Sequence, residues 1–133
     1  MRSLLEHLKK LPNMSKKTLV LGASINPERT SFQAIERLRK KGHEVVAIGL
    51  KTGEVADVKI QTDRPDFEKI DTVTLYLNAD RQRDYYDYLL SLHPKRIIFN
   101  PGAENMELYR LAKAAGIQPD IACTLVLLSL DDY

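Results

Sequence analysis

From residue 17 onward, short β-rich apolar runs alternate with helical patterns of about a dozen residues, and no other feature constrains the fold as tightly. "TLVLG" (18–22) is a β-rich run ended by glycine. "SFQAIERLRKKG" (31–42) carries Phe32, Ile35 and Leu38 on one helical face and stops at Gly42. The same reading predicts strands over 43–49, 58–61, 71–78, 95–100 and 117–123. It predicts helices over 83–92 and 104–116, and a helical terminal segment from Thr124. Strands and helices in this alternation imply parallel β-α-β units with right-handed crossovers. The almost unbroken apolar character of "TLVL", "VVAI" and "RIIF" fits strands covered on both faces. The expected architecture is therefore α/β, a doubly wound parallel sheet in three α/β/α layers. Its expected strand order is 3-2-1-4-5, with a sixth strand as candidate edge.

A chain of 133 residues suffices for one compact domain. Residues 1–11 place Leu4, Leu5, Leu8 and Leu11 on one helical face, closed by Pro12 and Asn13. The expectation is a helical extension over 1–13 ahead of a domain over 14–133. The net charge is only +2 and scattered, unlike the clustered Lys and Arg of a nucleic-acid or polybasic membrane partner. No apolar run approaches the ~20 residues of a membrane span, and the first residues lack the apolar core of a secretory signal. The single cysteine, Cys123, excludes an internal disulfide and fits a reducing compartment. A cytoplasmic protein is expected, and Asp63, Asp66 and Asp71 lack metal-ligand spacing.

In doubly wound sheets ligands bind outside the carboxyl ends of the strands, near the switch point between strands 1 and 4. That directs attention to the turns at 22–31, 49–53, 78–82 (which begins with Asn78), 100–105 and 123–124. In the first, Gly22 permits close backbone approach, and Thr30 with Gln33 has the capping-box pattern that would start a helix. Free N–H groups there suit a phosphate, with Ser24, Asn26 and Ser31 as neutral donors and Arg29 as a guanidinium. The same residues also make an ordinary Asn26-Pro27 turn in which Ser24 bonds its own backbone. After strand 2, where a NAD-binding fold usually has an acid, this chain has Lys51. A cation there favours a ribose that carries a phosphate, as in NADP or coenzyme A. In "NPGAENMEL", Asn100-Pro101-Gly102 forces a bend, and Glu104 or Asn105 starts a helix as a cap or a ligand contact.

"VLGASINPERTS", "AIGLK" and "FNPGAENMEL" resemble the small stand-alone CoA-binding proteins of bacteria. Their Rossmann-like fold is shared with the CoA-binding domain of the succinyl-CoA synthetase α subunit. The resemblance runs over about residues 17 to 129. Gly22, Ala23, Ser24, Asn26, Pro27 and Arg29 match the family pattern G-A-S-x-N-P with a following basic residue. Ser31 stands where the family often has Gly, and Gly49-Leu50-Lys51 where it often has Asn-Pro-Lys. Pro101-Gly102 and Glu104-Asn105 match the third motif. The resemblance implies binding of CoA or an acyl-CoA, with no catalytic residue. His7, His43 and His93 do not supply the phosphorylated histidine of the synthetases. Two other readings stand beside it. One is an NADP-binding oxidoreductase-like protein. The other is an interaction module with a vestigial pocket, self-associating as a homodimer through its N-terminal helix and "TLVLLSL".

Overall fold

A computed structural model describes residues 15–133; the expected helix over 1–13 lies outside the described residues. Seven strands form one sheet in the order β3-β4-β2-β1-β5-β6-β7. They are β1 (Thr18–Ala23), β2 (Val45–Gly49), β3 (Gly53–Val55), β4 (Val58–Gln61), β5 (Thr72–Leu75), β6 (Arg96–Phe99) and β7 (Gln118–Ile121). Every pairing is parallel except β3 with β4. The expected doubly wound order is present, with the sixth predicted strand at the edge as β7. The addition is β3, an antiparallel edge strand where the sequence pattern predicts none. Its hairpin turns at Ala56, at φ 53°, and Asp57, a pair without the glycine that marks such turns.

The helices are α1 (Thr30–Lys40), α2 (Ala79–Gln82), α3 (Tyr86–Ser91), α4 (Met106–Ala114) and α5 (Thr124–Ser129). The helix expected over 83–92 is a 3-10 turn at Arg83–Tyr85 followed by α3, and the short α2 precedes it at 79–82. Arg64 packs at this break: its Nη1 donates to the Asp84 carbonyl at 2.6 Å and its guanidinium stacks on the Tyr85 ring at 4.0 Å. The capping box at Thr30 does not form. Helix α1 begins at Thr30 with Arg29 as its N-cap residue and no side-chain cap bond.

Alternate residues of each central strand feed two cores. Leu19, Leu21, Leu75, Ile97 and Phe99 face Leu89, Leu92, Leu108 and Ala112 of α3 and α4 and the residues flanking them. Val20, Ala47 and Ile98 face Ile35 and Leu38 of α1, Leu128 of α5, and Tyr133. Both faces of β1 are buried, which explains its unbroken apolar sequence. Tyr85 and Tyr88 pack half-buried against the first core, as their helical spacing with Leu89 and Leu92 predicts.

Candidate functional site at the carboxyl ends of the strands

Strand β1 lies at the switch point of the sheet, between β2 and β5. Gly22 adopts φ +98°, and a Cβ there would lie 2.9 Å from the Tyr76 carbonyl carbon. Glycine therefore lets the first turn press against the end of β5. A second close approach ties the turn to β3: a Cβ on Gly53 would sit 2.3 Å from Ile25 Cγ2. Three chain segments thus converge above β1 because two positions carry no side chain.

Within the turn, Ser24 Oγ accepts from the Asn26 N–H at 3.1 Å, and Asn26 Oδ1 accepts from the Glu28 N–H at 3.0 Å. Both side chains build the turn, as the plain turn reading expects. Among the described residues each keeps a donor without a partner, the Ser24 hydroxyl proton and the Asn26 amide. Ala23 is buried, and Pro27 and Arg29 are exposed. The Arg29 carbonyl accepts from Phe32 and Gln33, and among the described residues the N–H groups of Thr30 and Ser31 have no protein partner. The Ser31 side chain is buried beneath them. The helix terminus is thus uncapped by any side chain and begins at an exposed arginine, features that suit an anion.

Lys51 is exposed just past β2, next to an open depression of about 550 Å³ between Thr52–Glu54 and Lys59–Asp63. On the other side of the switch point, Thr30, Tyr76–Asn78, Arg81 and Pro101–Ala103 line a cleft of about 300 Å³. The 22–31, 78–82 and 100–105 turns therefore meet at one place, as the topology predicts. Several polar residues there are committed to structure. Asn78 Oδ1 caps α2 through the Arg81 N–H at 3.0 Å. Glu104 Oε1 accepts from the Gly102 N–H at 2.7 Å and closes the Pro101-Gly102 bend. Asn105 Oδ1 caps α4, and its amide donates to Gln82 Oε1 at 2.9 Å and the Tyr86 hydroxyl at 2.8 Å.

Sequence reasoning missed Arg81 and Tyr76. Arg81 is exposed and makes no salt bridge among the described residues. The Tyr76 hydroxyl is buried without a hydrogen-bond partner, and burial pushes its pKa up to about 12. Asn78 three residues before Arg81 signals a helix start that would have exposed Arg81 as a cleft residue. Below this level, Asn100 joins β6 to α5: its amide donates to Thr74 Oγ1 at 2.7 Å, and its Oδ1 accepts from the Thr124 N–H at 2.8 Å. Cys123, half-buried, precedes that helix as its N-cap residue.

A CoA binding domain family model matches residues 16–129. The chain belongs to this family. A crystal structure of an uncharacterized protein is 50% identical, with a TM-score of 0.87, over 90% of this chain and 98% of that one. A hypothetical protein from Pyrococcus horikoshii shares the fold at 24% identity and TM-score 0.76, over 95% of this chain and 93% of that one. The dinucleotide-forming acetyl-coenzyme A synthetase 1 of Ca. Korarchaeum cryptofilum, solved with phosphate and ADP, shares it at 22% identity and TM-score 0.65. That likeness covers 78% of this chain and 25% of the synthetase. No curated protein matches the chain. The family match favours coenzyme A over the NADP alternative. Among the described residues, no helix is long and apolar enough to cross a membrane.

Proposed function

We propose that the protein binds coenzyme A, free or acylated, in the crevice over β1 and acts as a binding protein rather than an enzyme. The observation that carries this reading is the first-motif turn of a CoA-binding family member, where the Thr30 and Ser31 N–H groups have no protein partner among the described residues and the N-cap residue is the exposed Arg29. The diphosphate lies on that terminus. The adenosine lies past β2 near Lys51, and the pantetheine arm crosses the cleft between Tyr76–Asn78 and Pro101–Ala103. Gly22, Ala23 and Pro27 shape the turn, Ser24 and Asn26 offer donors to the phosphates, and Ser31 contributes its N–H. Asn78, Pro101 and Gly102 line the cleft, and Glu104 and Asn105 brace it by closing the Pro101-Gly102 bend and capping α4. The polar side chains lining the cleft are Thr30, Tyr76, Asn78 and Arg81, which include no nucleophile paired with a base. That composition supports binding without catalysis.

Calorimetric titration with CoA, acetyl-CoA and NADPH under equal conditions tests the reading. Saturable binding of NADPH but not of CoA would refute it. Arg29 and Lys51 are assigned to the ribose 3′-phosphate, so Arg29→Ala or Lys51→Ala weakens CoA by roughly tenfold while barely affecting dephospho-CoA. Equal losses for both ligands would reject that assignment.

A homodimer is proposed on a separate observation. Val126 and Leu130, one helical turn apart, and Ile121 on edge strand β7 are exposed large apolar residues. Sedimentation velocity tests this, and a monomer at all concentrations would remove it.

A further inference from the structure

Arg81 is the one charged side chain lining the 300 Å³ cleft among the described residues, and Thr30, the first residue of α1, lines the same cleft. Three other arginines of the described residues are engaged elsewhere. Arg39 is paired with Asp57 at 2.7 Å, Arg64 is stacked on Tyr85, and Arg96 on Tyr133. Asp80, the acid nearest in sequence, is turned to Arg83 at 3.9 Å. The backbone of Arg81 is fixed by the Asn78 cap, so its side chain leaves α2 from a defined position. A guanidinium fixed at its base and free at its tip, in a cleft without a carboxylate among its lining residues, fits an anionic ligand group.

We infer that Arg81 closes over the diphosphate of the bound ligand from the side opposite α1. The inference rests on the CoA reading and adds a residue that neither the family motifs nor the first turn contains. The first turn supplies N–H donors to one side of the diphosphate. Arg81 supplies a planar fork that takes one non-bridging oxygen from each phosphoryl group, or two from the same one. Its role is thereby separate from that of Arg29 and Lys51, which hold the ribose 3′-phosphate. CoA and dephospho-CoA share the diphosphate and differ only in that 3′-phosphate, so the pair of ligands distinguishes the two roles.

The test is calorimetric titration of the wild type, Arg81→Gln and Arg81→Lys with CoA and with dephospho-CoA. Arg81 is exposed and its side chain makes no hydrogen bond or salt bridge among the described residues, so an unchanged Tm is expected of both variants. Arg81→Gln is expected to weaken both ligands by the same factor, about tenfold, and Arg81→Lys by less because it keeps the charge without the fork. Weakening of CoA alone would overturn the inference by moving Arg81 to the 3′-phosphate. Unchanged affinity for both ligands would overturn it while leaving the CoA reading intact. Failure of the wild type to bind either ligand would remove the CoA reading and this inference with it.

Discussion

His43 shows how one side chain ties stability to pH. Its Nδ1 accepts from the Lys16 N–H at 3.0 Å, which requires that nitrogen unprotonated. Burial, then the Lys16 and Arg96 cations, hold its pKa below the usual histidine range, with Lys41 adding to and Asp71 opposing the shift. The Tyr133 ring packs on it at 4.9 Å. An unfolded histidine titrates near about 6.5, so between that value and the lower folded one the unfolded chain binds more protons. The His43 contribution is therefore complete above about pH 6.5 and is lost as pH falls through the folded value. Urea midpoints between about pH 5 and 7.5 should show this slope. His43→Asn, whose Oδ1 replaces the acceptor without titrating, should flatten it; an equal slope in the variant would reject His43 as the source.

At the scale of elements, the third motif is a joint. Asn105 starts α4, receiving the Glu107 and Leu108 N–H groups at 3.1 and 3.3 Å. Its amide reaches back to Gln82, which is fully buried and donates to the Leu77 and Ala103 carbonyls at 2.8 Å each. The cleft wall is thus held by α2 and α4 together. Asn105→Ala should cost about 2–4 kcal/mol, the lost cap plus an unpaired Gln82 oxygen. Asn105→Asp, which keeps the cap but not the amide donors, should recover only the capping part. A loss below about 0.5 kcal/mol for the alanine variant in urea unfolding would contradict the joint. The pairing of Asn105 with Gln82 was not legible in the sequence, because it joins positions 23 residues apart across two turns. Local signals such as Gly22 before a helix were legible. The capping box was misleading, since Thr30 entered α1 instead of preceding it.

At the scale of the molecule, the alternation of strands and helices was enough to give the doubly wound order, because buried parallel strands have unbroken apolar sequences. The β3 hairpin escaped, being three residues long with an Ala56-Asp57 turn. The sequence also concealed how the two ends of the sheet divide their tasks. The turns proposed for CoA lie at the carboxyl ends of the strands. At the amino ends, Tyr133 is buried against Thr18, with their hydroxyls 2.6 Å apart. The Arg96 guanidinium covers its ring at 4.5 Å, and its backbone oxygen accepts from Lys16 Nζ. Four- to six-residue strands separate the two ends by roughly 13–20 Å, and among the described residues no direct hydrogen bond joins Tyr133 to a residue lining the cleft. Stability and binding should therefore vary independently. Tyr133→Phe removes one hydrogen bond and should lower stability by about 1 kcal/mol, since Thr18 still donates to the Lys16 carbonyl. CoA affinity of the folded variant should stay at the wild-type value, and saturating CoA should stabilise both proteins equally through mass action. A change in CoA affinity beyond about threefold would mean that the amino-end cluster shapes the crevice across the sheet.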